Sequence, residues 1–339
     1  MLTRRRFIKG AIAGLSLVYV EPIFGAIQRH TESVVTPDVL FPITLHGKLG
    51  YIDREGNVIV RPQFERAFGF YEGLGCVKVG ESYGFIDTSG NMVIKPRFRN
   101  AFSFSEGLAA VSFHNIERWG YIDKSGKTAI EPVVDAGDFS EGLTSVGVNG
   151  RWGCIEKSGE MVIKPLSRFP ATFSEGLAEV QIGKKWGYID RTGAFVIPLR
   201  YKSASPFKEG LACVGMSKGG DSFIDKAGRV VIKCGDFQEI RPFHEGLAAV
   251  RIKEKWGFIN KTGEIVIEPE FDSAFGFSEG LASVRVGERW GFINKKGMLV
   301  IEARYDMAWS FEDGLSSVGI GEKWGYINKT GRCVWEPTA

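Results

Sequence analysis

Residues 281–301 read Leu281-Ala-Ser-Val-Arg-Val-Gly-Glu-Arg-Trp290-Gly-Phe-Ile-Asn-Lys-Lys-Gly297-Met-Leu-Val-Ile301. Val284 and Val286 alternate with Ser283 and Arg285, the period-two pattern of a strand with one dry and one wet face. In the next run Trp290 and Phe292 share one face, while Gly291 and Ile293 share the other. Asn294-x-x-Gly297 follows. Asn bonds its own backbone and Gly accepts a positive φ, which is the chemistry of a three- to four-residue hairpin turn with a Gly bulge. The apolar run Met298–Ile301 then reads as a third strand, so the stretch is a meander.

The same order of residues recurs outward in both directions. Trp119, Trp152, Trp186, Trp256, Trp290 and Trp324 each precede a glycine, except that Leu49, Tyr83 and Asp221 fill the Trp slot in three degenerate copies. This gives nine copies with a period of about 34 residues. The Gly slot falls at 50, 84, 120, 153, 187, 257, 291 and 325, with Ser222 in copy six. An Ile three residues after the Trp slot occurs in all nine copies. Turn glycines recur at 56, 90, 126, 159, 193, 228, 263, 297 and 331, and Pro62, Pro96, Pro132, Pro165, Pro269 and Pro337 are read as closing the third strands. Every link between copies carries Phe-x-Glu/Asp-Gly-Leu, from Phe70 to Phe311. A period near 34 also suits helical repeats, but each glycine inside a helix would cost about 1 kcal/mol, and the β-branched runs favour strands. Copy six departs most, with Gly220-Asp221-Ser222-Phe223 and Cys234 in place of Pro, so irregular stacking is expected around residues 215–240.

These motifs resemble the WG-repeat proteins, a bacterial β-repeat family, over about residues 40–337. The resemblance implies an all-β tandem array of three-stranded meanders and supplies no biochemical activity. Units of three strands are short for propeller blades, and whole units at both ends lack a split blade to staple a ring. The expected form is an elongated or superhelical solenoid, with a closed β-propeller as the alternative.

Ahead of the array lies an address. Arg4, Arg5, Arg6 and Lys9 precede the apolar run Ala11–Val20, which is too short to span a membrane. The segment resembles the twin-arginine export motif of bacteria, with Arg4 and Arg5 as the pair, Phe7 as the following apolar residue and Lys9 as the trailing base. That resemblance implies export of an already folded protein to the periplasm or cell surface, or its secretion. The expected division is a signal at 1–26, a linker at 27–39 and the array at 40–339. Phe24 fits a small-x-small cleavage site poorly, which leaves an uncleaved anchor as the alternative.

Charge follows the same division. The chain carries a formal net charge of +3. Residues 1–26 hold four bases and one acid, Glu21, so the remainder is neutral. Phosphate binding needs a clustered basic excess, so nucleic acid is not an expected partner. Gly at 44 of 339 residues, with 25 Phe and 8 Trp, agrees with a turn-rich β chain.

Recurrent residues admit a functional and a structural role. The six Trp residues named above are candidate binding aromatics that could line inter-repeat pockets; as repeat residues they suit an inter-repeat core better. Glu72, Glu106, Glu141, Glu175, Glu209, Glu245, Glu279 and Asp313 could form a binding row, but a residue present in every link is more economically a turn-bonding one. Lys48, Arg118, Arg151, Lys185, Lys255, Arg289 and Lys323 could form a stripe, diluted by neighbouring acids such as Glu81 and Glu288. Gly220-Asp221-Ser222 is superficially like an esterase block, yet Ser222 fills a repeat Gly slot and no His follows His244. Cys76, Cys154, Cys213, Cys234 and Cys333 show no metal-ligand spacing and read mostly as buried small residues, with no disulfide expected. No phosphate, dinucleotide, zinc or calcium motif appears, and no cofactor is expected. The function expected is an exported, non-enzymatic scaffold that binds protein or an envelope polymer; the alternative is a cell-wall or glycan-binding module.

Overall fold

The structure, a computed structural model, describes residues 39–338 apart from 115, 134, 217–219 and 236. The export signal, including Arg4, Arg5, Phe7 and Lys9, and nearly all of the linker lie outside the described residues. Among the described residues every regular element is a β-strand, and all pairing is antiparallel. Nine sheets' worth of strands follow one another; the units around residues 66–133 are joined into a single seven-stranded sheet by the long strand Met92–Ala101.

The eighth unit shows the plan. Leu281–Val286 pairs with Arg289–Asn294 along its whole length, from Leu281 opposite Asn294 to Val286 opposite Arg289. Arg289–Asn294 pairs in turn with Leu299–Tyr305. The expected hairpin forms between them: Asn294 Oδ1 accepts the Lys296 and Met298 amides at 2.9 and 3.2 Å, and Gly297 sits at φ +80°. A fourth, two-residue strand, Ser273–Ala274, pairs with the first strand and was not foreseen as a strand. It belongs to the linking segment, which therefore contributes an edge to the sheet. With it the eighth unit reaches the four strands usual for a propeller blade.

Two local expectations are corrected. The third strand does not stop at Pro: Ile265–Phe271 runs through Pro269. Its register jumps there, with Trp256 opposite Phe271 but Phe258 opposite Ile267. The resulting bulge explains the glycine after each Trp. A Cβ on Gly257 would lie 2.5 Å from the Ile267 carbonyl oxygen and 2.8 Å from Pro269 N, well inside contact distance. The first strand is also not wet on one face, because Ser283 is wholly buried beside Val284 while Val286 is exposed. Each sheet lies between two neighbours, so both faces are covered along its middle and only strand ends reach water.

Aromatic pairs form the contact between units. Phe277, from Phe-Ser-Glu-Gly-Leu, meets Phe258 of the preceding unit at 5.0 Å. Equivalent pairs are Phe85–Phe104, Tyr188–Phe207, Phe223–Phe243 and Phe292–Phe311. These rings are almost fully buried, each worth roughly 2–3 kcal/mol by burial. The Ile following the second-strand aromatic is buried in every unit.

The array closes on itself. Tyr326 in the last unit stacks edge-on against Phe41 in the first at 5.5 Å, and its hydroxyl donates to the Pro42 carbonyl at 2.9 Å. Phe41, Ile43 and Ile52 share one apolar cluster with Leu315, Val334 and Trp335. Of the two arrangements left open by the sequence, the closed ring of propeller type is the one formed, and the elongated stack is set aside. Copy six is also part of it. Its strands shorten to four residues, yet Phe223, Ile224 and Cys234 are fully buried, so stacking persists where irregularity was expected. Ser222 pairs regularly with Lys233 and faces no bulge. That is why this slot tolerates a side chain.

Candidate functional site

The recurrent polar residues are occupied by the fold. Each acidic residue of the linking turn has a positive φ of 51–57°, and the glycine after it is also positive, which makes a tight turn of the primed type. In the seven glutamates the carboxylate accepts the amide of the equivalent glycine one unit on: Glu72 takes Gly107 at 3.0 Å, Glu175 takes Gly210 at 3.0 Å, and Glu279 takes Gly314 at 3.1 Å. A lysine from that next unit completes the site, as in Lys124–Glu72, Lys157–Glu106, Lys261–Glu209 and Lys329–Glu279. Burial alone would raise the Glu72 and Glu279 carboxyls, but the lysine and amide bonds outweigh it and hold both below the usual value. Serine one residue earlier adds a further tie, Ser278 Oγ donating to the Phe311 carbonyl at 2.6 Å. The row of acids is a belt of turn-to-turn bonds.

Part of the basic row is likewise engaged. Lys48 pairs with Glu65 at 2.9 Å, Lys255 with Asp272 at 2.6 Å, and Arg289 with Asp306. Second-strand tyrosines bond forward: Tyr51 donates to the Phe68 carbonyl, Tyr121 to Gly137 and Tyr188 to Ser205. Ser222 is buried inside a strand. All five cysteines are free; Cys76, Cys154 and Cys234 are buried, Cys213 is half-buried and Cys333 is exposed. Burial pushes the Cys76 thiol up to about 12 and that of Cys234 to about 11. Among the described residues no group of three His, Cys, Asp or Glu could hold a metal ion.

The candidate Trp residues fall into three groups. Trp256 and Trp290 are buried, Trp119, Trp152 and Trp186 are half-buried, and Trp324 is exposed. None of them occupies the inter-unit position; the residue two later does, an aromatic in every copy but the fourth, where it is Cys154. Instead, a Trp forms the floor under a residue of its own linking segment. Phe102 stacks on Trp119 at 4.8 Å with 14° between planes, Phe169 on Trp186 at 5.7 Å and 5°, and Phe275 on Trp290 at 5.2 Å and 26°. The upper members face solvent: Phe68, Phe102, Phe169 and Trp309 are between 41% and 47% exposed.

These upper rings were missed in the sequence, although Phe68-x-Phe70, Phe102-x-Phe104, Phe275-x-Phe277 and Trp309-x-Phe311 carry the signal. With period two, one ring enters the inter-unit core and the other is presented. From unit to unit the presented residues approach closely, as Phe275 and Trp309 do at 5.7 Å. The turns beside them bond directly to one another, while third strands expose pairs such as Ile265 and Val266 at the far edge of each sheet. The linking segments therefore lie along the narrow inner side of the ring. A row of flat apolar faces so placed suits stacking against rings or sugar faces.

Eight consecutive segments, residues 50–82, 83–115, 119–152, 152–186, 186–217, 222–256, 256–290 and 290–324, match the family described as WG containing repeat. No curated protein matches the sequence. Among solved structures, one described as the eukaryotic initiation factor is similar with a TM-score of 0.64 at 10% identity, covering 89% of this chain and 96% of that one. BamB from Moraxella catarrhalis has a TM-score of 0.42 at 10% identity, covering 82% and 92%. The dihydro-heme d1 dehydrogenase NirN in complex with DHE has a TM-score of 0.47 at 14% identity, covering 85% and 76%. At such identities the first likeness concerns the fold alone.

Proposed function

The chain belongs to the WG containing repeat family, and on that premise we propose that it is an exported, non-enzymatic scaffold whose ring binds a protein or an envelope polymer. The observation that carries the reading is a division of labour repeated in several links. One aromatic and the polar groups build the ring of sheets, while Phe68, Phe102, Phe169 and Trp309 are left facing solvent. A residue recruited for catalysis would stand apart from the repeat pattern at one place; here the repeating acids, bases and tyrosines are used in the same way from unit to unit. With no net charge outside the N-terminal segment, binding rests on shape and apolar surface.

A cross-linking pull-down from the cell envelope, with the signal intact, tests the scaffold role, and a defined partner retained through washing is the expected result. Substrate turnover lost on a single substitution would overturn it. Replacing Arg4 and Arg5 by Lys should hold the protein in the cytoplasm; unchanged export would remove the twin-arginine assignment. The stacked pairs Phe102–Trp119 and Phe169–Trp186 favour a second reading, a glycan-binding module. Titration with cell-wall glycan fragments should then quench Trp fluorescence, and a flat response would leave the protein-binding reading.

A further inference from the structure

Four links depart from the aromatic pattern at the presented position, with Gly137, Ala171, Ser205 and Arg241, and of these Arg241 alone is charged. Arg241 stands in the seventh unit where Phe102, Phe275 and Trp309 stand in others. Its guanidinium lies 4.8 Å from the Trp256 ring and 4.8 Å from the Phe275 ring, held between the two faces. Phe275 continues to Trp290 at 5.2 Å and to Trp309 at 5.7 Å, so cation and rings form one stack across three units. Beside it opens a cleft of about 340 Å³, lined by Arg241, Pro242, His244, Phe275, Ser278 and Ser310 among others.

The polar groups facing this cleft differ from those of the turn belt. Ser278 is used, donating to the Phe311 carbonyl. The guanidinium of Arg241, the imidazole of His244 and the hydroxyl of Ser310 make no hydrogen bond to any described residue. The nearest acid on the same segment, Glu239, is engaged by Arg251. A half-buried guanidinium whose neighbouring carboxylate, Glu239, is bonded to Arg251, and which is held between two rings, presents a fork of N–H donors matched to a planar carboxylate. The flat ring of Trp309 next to that stack, 46% exposed, matches the face of a pyranose ring.

We propose that the cleft beside Arg241 and Phe275 is a subsite for an acidic glycan, in which Arg241 takes the sugar carboxylate in bidentate fashion while Trp309, which adjoins Phe275 at 5.7 Å, receives the face of a neighbouring sugar. His244 and Ser310 supply further polar contacts at the rim. The subsite rests on the binding-ring reading above and names the polymer class it would take. One positive charge on one fork suits one carboxylate per subsite, and the attraction weakens with salt because the site is open to solvent.

The test is a titration of the full chain with tri-galacturonate, with its methyl ester, with acetate and with an acidic peptide, followed by calorimetry. The acid form should bind about tenfold more tightly than the ester. Arg241→Gln should abolish that difference, and Arg241→Lys, which keeps the charge but loses the fork, should restore part of it. Trp309→Ala should weaken acid and ester alike. Unchanged melting of each variant separates loss of the site from loss of the fold. Equal binding of acid and ester by the unaltered protein, no binding of either, or an Arg241→Gln variant that still discriminates overturns the subsite. Tighter binding of the acidic peptide assigns the cleft to a protein partner and overturns it too. Failure in any of these ways leaves the scaffold role standing if the envelope pull-down captures a partner, so the two readings fail separately.

Discussion

The carboxylate of Asp313 lies 3.4 Å from the guanidinium of Arg54, 259 residues earlier in the chain. Arg54 occupies the turn position held by Lys124, Lys261 and Lys329 in other units, and Asp313 the position of Glu72, Glu209 and Glu279. The seam is thus joined by the same pair that joins the other units, with a shorter acid and a longer base. Exposed as it is, the pair contributes at most about 1 kcal/mol. Closure rests chiefly on Phe41, Tyr326 and the apolar cluster around them.

Phe41→Ala should therefore cost about 3 kcal/mol or more, and Arg54→Ala only a few tenths. Urea denaturation of both variants checks the ranking. Solution scattering of the array should give a compact particle with a radius of gyration of roughly 20 Å. An elongated profile for the unaltered protein, or equal costs for the two substitutions, would contradict closure.

The glycine after the second-strand aromatic slot offers a contrast inside one molecule. Gly257→Ala drives a methyl group into the Ile267 carbonyl and should destabilise by about 2–3 kcal/mol. Ser222→Ala, at the equivalent position of the sixth unit, meets no bulge and should be nearly neutral apart from the hydroxyl. Denaturation midpoints decide this. A similar loss at both positions would show that the bulge is not what requires glycine.

Much of this unit was legible before its structure, because its signals are local. The turn at Asn294–Gly297 and the strand alternation around Trp290 and Phe292 depend on neighbours a few residues away. The ring was not legible, since contacts such as Tyr326 with Pro42 join the two ends of the array and leave no mark in a period. Nor was the purpose of the Trp–Gly glycine, which answers to a bulge in the next strand rather than to its own φ. The presented rings were hidden for a related reason. Phe275 and Phe277 look alike in sequence, and only packing tells the core ring from the exposed one. Arg241 stood out in neither composition nor motif until two rings enclosed it.

The turn belt predicts a graded response at Glu279. Its carboxylate accepts the Gly314 amide through both oxygens at 3.1 Å and meets Lys329 at 2.8 Å. Glu279→Ala leaves that amide without its acceptor and should cost about 1–2 kcal/mol. Glu279→Gln keeps an acceptor and loses only the ion pair, so its cost should be under about 1 kcal/mol and should vanish at high salt. Hydrogen exchange at the Gly314 amide should quicken in the alanine variant. An unchanged rate would mean that the carboxylate does not hold the turn.

Glu179 carries the pH dependence. It occupies the first-strand slot where other units place Cys76, Ser145 or Ser283, directly opposite Tyr188. Its Oε2 is buried without a hydrogen-bond partner among the described residues, and burial raises the carboxyl from its ordinary value to about 7. The folded protein thus holds this proton more tightly than the unfolded chain. Below the unfolded value of 4.5 the group is neutral in both states and costs nothing. As pH rises from there through about 7, the unfolded chain ionises first and folding stability falls. With allowance for its part exposure, the loss should be on the order of 2–3 kcal/mol. Glu179→Ser, which installs the residue of the preceding unit, should raise the melting temperature at pH 8, change it little at pH 4.5, and flatten the profile between. A Glu179→Ser variant that keeps the full slope would assign the pH dependence to another group.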